Sequence, residues 1–300
     1  MRAVSFSEYG DPSVLTVVEA EVPEPGPGQV RVAVRAAGVN PIDVKLRSGQ
    51  MAQNMPLSLP HVLGLEVAGV VDAVGEEVTD AAVGDAVAGW AVGGGYAEYA
   101  VLSTYAAKPD ALTWQEAAGL PVAGEAAVRA LRVLDPRCGE TLLVNGASGS
   151  VGTIAVQLAV ENGVTVVGTA GSANLDRVCA HGALATPYGE GLARRVRALA
   201  PQGVDAVLDA AGHGALPDAI ALRGGTDRIV TLADPAAFDL GVPFLSKTDD
   251  QTTQTLETLL GAAAEGRITQ PASRAMGLEE AAQAHREWER KSFGKIVLVP

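Results

Sequence analysis

The hydrophobic pattern changes character part-way along the chain. In the first part, short runs rich in β-branched residues are punctuated by Gly and Pro, as in Val30-Arg31-Val32-Ala33-Val34, Val67 to Val74 and Asp85 to Ala88. Apolar positions alternating between turn formers predict half-buried antiparallel strands, here in a barrel-like region. The stretch Val22-Pro23-Glu24-Pro25-Gly26-Pro27-Gly28 is too short for a linker and reads as a rigid loop between two strands. From residue 114 onward, Ala- and Leu-rich helical stretches alternate with buried apolar strands, the pattern of a parallel α/β sheet. The predicted strands are Thr141 to Asn145, Thr165 to Thr169, Ala206 to Leu208 and Ile229 to Leu232, with a helix at Val151 to Asn162. Helices connecting such strands predict a doubly wound order. Leu278 to Glu289 then reads as an amphipathic helix and Lys295 to Val299 as a last strand.

The segment Leu142 to Gly152 gives a buried strand, a turn and a helix start, the turn being Asn145-Gly146-Ala147-Ser148-Gly149-Ser150-Val151-Gly152. A GxGxxG turn in this setting lets the backbone approach a dinucleotide diphosphate and turns the free N–H groups of a helix toward its charge. Ala147 replaces the first glycine, Gly149 and Gly152 keep the second and third, and Gly146 offers a permissive backbone just upstream. Ser148 and Ser150 add hydroxyl donors. In an NAD enzyme an acid after the next strand hydrogen-bonds the adenosine ribose. Here that strand runs into Thr169-Ala170-Gly171-Ser172-Ala173-Asn174, with no carboxylate to repel a 2′-phosphate, so NADP is the expected cofactor. No Arg or Lys follows the strand at once; the first candidate is Arg177, which either reaches this site or simply faces solvent from a helix.

Charge and cysteine usage narrow the partners. The 300 residues carry 35 Asp and Glu against 22 Lys and Arg, a net charge of −13, which repels a nucleic-acid backbone or an anionic membrane. Hydrophobic residues make up 48% and charged ones 19%, a balance that predicts a folded chain, best divided into two domains. Cys138 and Cys179 form no CxxC pair, and neither a signal-peptide pattern nor a bilayer-length apolar run is present. A reducing cytoplasm is the expected compartment.

Further strings stand in order along the chain: Gly38-Val39-Asn40-Pro41-Ile42-Asp43, Arg47-Ser48-Gly49, Gly64-Leu65-Glu66-Val67-Ala68-Gly69, Gly84-Asp85-Ala86-Val87-Ala88-Gly89, Gly95-Tyr96-Ala97-Glu98-Tyr99 and Gly294-Lys295-Ile296-Val297-Leu298. With the glycine loop and the β-rich first part, the chain resembles the medium-chain dehydrogenase/reductase superfamily over nearly its whole length, specifically the zinc-free quinone oxidoreductase branch. The resemblance implies a GroES-like, partly barrel-shaped catalytic domain at residues 1–120, completed by 265–300. It places a Rossmann NADP-binding domain at 121–264 and the active site in the cleft between the two. Zinc-dependent members carry Cys at the position of Asn40 and His at that of Leu65, and neither residue present can ligate zinc. His61, His181, His213 and His285 are far apart in sequence, so no metal is expected.

The same resemblance sets Asn40 beside the nicotinamide, against its ribose or the substrate carbonyl, while its place before Pro41 equally suits a helix N-cap. Asp43 is accounted for by the helix dipole. Lys45 and Arg47 either polarise an acceptor oxygen or face water, Lys45 being the catalytic candidate of the two. Implied cofactor contacts are Ser148, Gly149, Ser150 and Val151 at the diphosphate and Ser172, Asn174 and Tyr188 at the adenosine phosphate. Gly212 is implied on the nicotinamide side and Phe244, Leu245 and Ser246 along the cleft, while Lys295 either stands near the cofactor or merely leads a strand. One departure stands out: relatives read Leu-Pro-x-x-Gly-Leu-Thr-Ala where this chain has Leu120-Pro121-Val122-Ala123-Gly124-Glu125-Ala126-Ala127, which removes a hydroxyl near the nicotinamide. The implied activity is NADPH-dependent hydride transfer to a quinone or an enone by a homodimer. A nicotinamide-binding sensor with little turnover is the alternative that Glu125-Ala126 keeps open.

Overall fold

The computed structural model describes residues 1–246, 251–271, 273–290 and 294–300. The chain divides into two compact units, one of Met1–Val122, Gln251–Glu265 and Ala272–Pro300, the other of Ala123–Asp250 and Gly266–Pro271.

The first unit opens with β1 (Arg2–Phe6), β2 (Thr16–Glu19), β3 (Val30–Val39), β4 (His61–Val62), β5 (Glu66–Val74), β6 (Ala86–Val92) and β7 (Tyr99–Ala107). β1 pairs with β2 and β4 in a small antiparallel sheet. β3, β5, β6 and β7 pair successively, and β7 pairs back onto β3, closing an antiparallel ring. The predicted alternation sets the ring's inward face: along β3, Val30, Val32 and Val34 are buried while Arg31, Ala33 and Arg35 are less so.

The second unit is built on β8 (Thr141–Asn145), β9 (Thr165–Ala170), β10 (Leu184–Pro187), β11 (Ala206–Asp209) and β12 (Ile229–Thr231). They form a wholly parallel sheet in the order β10-β9-β8-β11-β12, a doubly wound arrangement whose topological switch point lies between β8 and β11. The sequence pattern did not show β10, because Leu184-Ala185-Thr186-Pro187 is short and ends in a proline that only an edge strand tolerates. A single parallel bridge between Thr231 and Phe244 adds the segment Pro243 to Leu245 beside β12.

The first unit resumes with β13 (Ser273–Gly277) and β14 (Lys295–Val299), parallel to each other, and β14 lies antiparallel on β3 with Ile296 opposite Val39. The predicted helix at 278–289 is a 3-10 turn, Leu278–Glu280, followed by an α-helix, Ala281–Glu289. The helix Thr253–Ala264, placed by sequence in the Rossmann range, belongs instead to the first unit. It buries Leu256, Leu259 and Leu260 and packs on β7, as its apolar stripe at helical spacing requires. Among the described residues no helix is long and apolar enough to cross a membrane.

Packing around the glycine loop shows how Ala147 is tolerated in place of glycine. A Cβ on Gly168 of β9 would lie 2.7 Å from the Ala147 Cβ and 2.6 Å from Val178 Cγ1, so the missing methyl has moved to the neighbouring strand. Gly168→Ala should therefore cost about 1–3 kcal/mol in urea unfolding. Adding Ala147→Gly should recover part of that loss, and an unchanged unfolding midpoint for Gly168→Ala would contradict this packing account.

Candidate functional site

In the second unit, the last residues of the strands carry the polar chemistry. Asn145 at the end of β8 donates from Nδ2 to Asp209 Oδ1 at 2.7 Å and to the Gly212 carbonyl at 3.1 Å. The Thr169 hydroxyl donates to Asn145 Oδ1 at 2.6 Å and accepts the Gly146 N–H at 3.1 Å. On the far side, the Thr231 hydroxyl donates to Asp209 Oδ2 at 2.7 Å. Asp209 Oδ1 also accepts the N–H of Gly212 at 2.8 Å. Asn145, Thr169, Asp209 and Thr231 are all buried, so this chain of bonds fixes the loops at the carboxyl edge of the sheet, where open α/β folds bind their ligands.

The glycine loop leaves that edge through a tight turn that glycine makes possible. Gly146 has a φ of +84°, a left-handed conformation costly for any side chain with a Cβ. A Cβ on Gly152 would stand 2.2 Å from the Gly146 carbonyl oxygen, so only glycine lets the helix pack this tightly on the turn. Gly149 caps the helix Ser150–Glu161 with no side chain over its first turn and no acidic residue within it. The helix end thus presents its N–H groups and positive dipole end to solvent.

Around the end of β9 the structure gathers the implied adenosine-phosphate residues. The Tyr188 ring, 60% exposed, holds its hydroxyl over Gly171, 3.5 Å from where a Cβ would stand, next to Ser172. Arg177, one of the two readings left open by the sequence, donates from Nη2 to the Ser148 carbonyl and from Nη1 to Asn174 Oδ1, each at 3.3 Å. An exposed guanidinium therefore bridges the glycine loop and the β9 loop. Its signal in sequence was only a basic residue at one helical turn's remove. Gly212, with a φ of +71°, is fixed by Asp209 and Asn145, while Phe244 is half-buried and Ser246 exposed.

In the first unit, Asn40 and Lys295 meet in a buried polar network. Lys295 Nζ donates to Glu66 Oε1 at 2.6 Å and to Asn40 Oδ1 at 2.8 Å, and Asn40 Nδ2 donates to Glu66 Oε1 at 2.8 Å. Glu66 Oε2 accepts the Val122 N–H at 2.7 Å. Both charges are fully desolvated, with side chains 1% and 0% exposed, so removing either partner would strand the other at a cost of about 3–5 kcal/mol. Asn40 occupies the N-cap position of the helix Pro41–Arg47, but its side chain serves the ion pair. The Asp43 carboxylate instead accepts the Asn40 N–H at 2.8 Å. Asp43 is thus more than a dipole partner: its Oδ2 also accepts the Tyr96 hydroxyl at 3.0 Å. Lys45 is half-buried on this helix and outside the network. Arg47 neither faces water nor stands free; it is buried and paired with Glu289 at 2.5 Å. Sequence reading did not single out Glu66, whose signal was a lone acid inside an apolar strand.

Burial dominates the titration of this network. The Asp43 carboxyl is pushed up to about 7 by desolvation, opposed by its bonds from Asn40 and Tyr96, and desolvation likewise lifts the Tyr96 phenol well above its ordinary value. His285, edge-on to Tyr96, is pushed down to about 3 by burial and the nearby Arg47. Among the described residues no three His, Cys, Asp or Glu side chains converge as metal ligands.

Two family models match: the alcohol dehydrogenase GroES-like domain over residues 26–110 and the zinc-binding dehydrogenase model over residues 186–298. A quinone oxidoreductase from Lama guanicoe is 32% identical over 325 residues, covering 100% of this chain and 97% of its own. A mycobacterial structure complexed with NADPH is 29% identical with a TM-score of 0.86, and an NAD-dependent alcohol dehydrogenase structure is 33% identical with a TM-score of 0.86, each comparison covering 100% of both chains. The chain belongs to the quinone oxidoreductase family of the medium-chain dehydrogenase/reductase superfamily, and is an oxidoreductase with a GroES-like and a Rossmann domain.

The raised Asp43 value fixes the sign of a pH effect. A carboxyl whose folded value of about 7 exceeds its unfolded value near 3.8 keeps its proton in the native state, while the unfolded chain releases it. Stability is then full below the lower value and falls between pH 4 and 7, by up to about 1.4 kcal/mol per pH unit. Asp43→Asn should flatten this decline in urea titrations across that window; equal slopes in both proteins would show that Asp43 is ionised throughout.

Proposed function

We propose that the protein transfers hydride from NADPH to a quinone or an activated alkene such as an enone, without a metal. The observation that carries the cofactor choice is Arg177, which joins Ser148 and Asn174 beside a strand end lacking any carboxylate. A 2′-phosphate held there would meet a guanidinium, the Ser172 hydroxyl, the Asn174 amide and the Tyr188 hydroxyl. An NAD-type site would instead present an acid to the ribose. The open helix N-terminus at Gly149 suits the diphosphate, with Ser148, Ser150 and Val151 around it.

The donor set does not suit zinc. Asn40 offers an amide already engaged by Lys295 and Glu66, and Leu65 offers only an aliphatic chain. Alcohol oxidation without a Lewis acid lacks the group that stabilises its alkoxide. Reduction of a quinone or enone has no such need, because conjugation spreads the developing charge onto oxygen. When bound, the cofactor supplies the hydride, and the protein's task is to orient donor and acceptor and exclude competing water. Within the first unit, Glu66 locks Asn40 and Lys295, the residues that the resemblance implies for the cofactor, into one geometry.

NADPH consumption should be followed with simple quinones and with linear and cyclic enones, alongside titrations with NADH. Turnover with NADPH is expected in at least one class; tight NADPH binding with no turnover across the panel would favour a sensor. Arg177→Ala should weaken NADPH binding about tenfold, as loss of one exposed charge-assisted contact does, and leave NADH binding unchanged. Equal losses for both cofactors would overturn the assignment of Arg177 to the 2′-phosphate.

A further inference from the structure

The helix Pro121–Leu134 carries an ion pair inside the second unit. Glu125 and Arg129, four residues apart, face each other with side chains 3% and 11% exposed. Arg129 donates from Nε to Glu125 Oε1 at 2.7 Å and from Nη2 to Oε2 at 3.4 Å. Its remaining nitrogen, Nη1, donates to the Leu245 carbonyl at 2.9 Å. The guanidinium fork thus spends one edge on the carboxylate and extends the other across to the chain beyond β12.

Phe244 in that chain stacks on Phe238 with ring centroids 5.5 Å apart and packs against the core of the unit. The Thr231 N–H donates to the Pro243 carbonyl at 3.1 Å and the Leu245 N–H to the Thr231 carbonyl at 2.9 Å, and the Leu245 carbonyl accepts its bond from Arg129. Thr231 is itself fixed by Asp209, so the clamp is continuous with the hydrogen-bonded edge that sets Gly212 and the glycine loop. A buried ion pair is on average no more stabilising than apolar residues of the same volume, whereas it holds its members in one geometry. Its yield here is the position of one carbonyl at the carboxyl edge of the sheet.

We propose that Glu125 and Arg129 are positioning residues for the nicotinamide half of the cofactor, acting by clamping Leu245 and so fixing the Phe244-Leu245-Ser246 backbone. This rests on the NADPH reading above. Removing Arg129 alone would take from the buried Glu125 the charge it faces here, so the test uses Glu125→Leu with Arg129→Met. This double variant replaces the pair by apolar side chains of similar volume and should unfold within a few degrees of the wild type.

Binding of 2′,5′-ADP, which reports the adenosine half alone, should be unchanged in the double variant. NADPH affinity and kcat should each fall about tenfold, one order in an equilibrium or rate constant. Arg129→Lys, which keeps a charge toward Glu125 without the fork, should lie between. If NADPH affinity and kcat match the wild type, or if 2′,5′-ADP and NADPH affinities fall together with the melting temperature, the pair is a structural brace and the proposal is wrong. Wild-type protein that binds neither NADPH nor 2′,5′-ADP would instead refute the cofactor reading on which it stands.

Discussion

The hydrogen bond from Asn145 to Asp209, at 2.7 Å, spans the switch point of the parallel sheet, and the ligand-facing edge is organised around it. Strands that diverge in topology at this point leave a gap between their following loops. A buried carboxylate placed there needs hydrogen-bond partners. Asp209 recruits Asn145, Thr231 and the Gly212 N–H as these, and Asn145 in turn orients Thr169 and the start of the glycine loop. The turn that would receive a diphosphate, the turn after β11 and the end of β12 are thereby held in register by side chains that no ligand needs to touch.

The first unit solves a parallel problem with charge. Lys295 comes from the last strand, Asn40 from the end of β3 and Glu66 from the start of β5, and the β14 to β3 pairing brings them within hydrogen-bond distance. Burying both charges is tolerable only because each is paired and hydrogen-bonded. The same apolar surroundings hold a proton on Asp43 and keep one off His285. Burial thus raises the proton affinity of the first group and lowers that of the second.

Much of the architecture was legible from local pattern. Alternation marked the barrel strands, apolar runs marked β8, β9, β11 and β12, and the β8 prediction matches the observed bounds. β10 escaped because four residues ending in proline carry no periodicity to read. The helix Thr253–Ala264 falls within the range assigned to the Rossmann domain but packs in the first unit, since an apolar stripe says that a face is buried without saying against what. Among site residues, Ser172, Asn174 and Tyr188 were proposed from resemblance, and the structure gathers them around Gly171. Arg177 was an open choice, because exposure on a helix and contact with a neighbouring loop look identical in one dimension.

The sequence by itself determined the two textures, the strand–glycine–helix unit and the missing acid after β9. These are properties of residue type and short-range spacing, which secondary structure translates directly into position. Only the tertiary structure decided that Glu66 neutralises Lys295, that Asp43 lies against Tyr96, that Arg177 bridges two loops, and that Glu125 turns toward Arg129 and, through it, Leu245. Each of these joins residues from separate elements, and a partner brought in by long-range strand pairing or helix packing leaves no periodic trace in either segment alone.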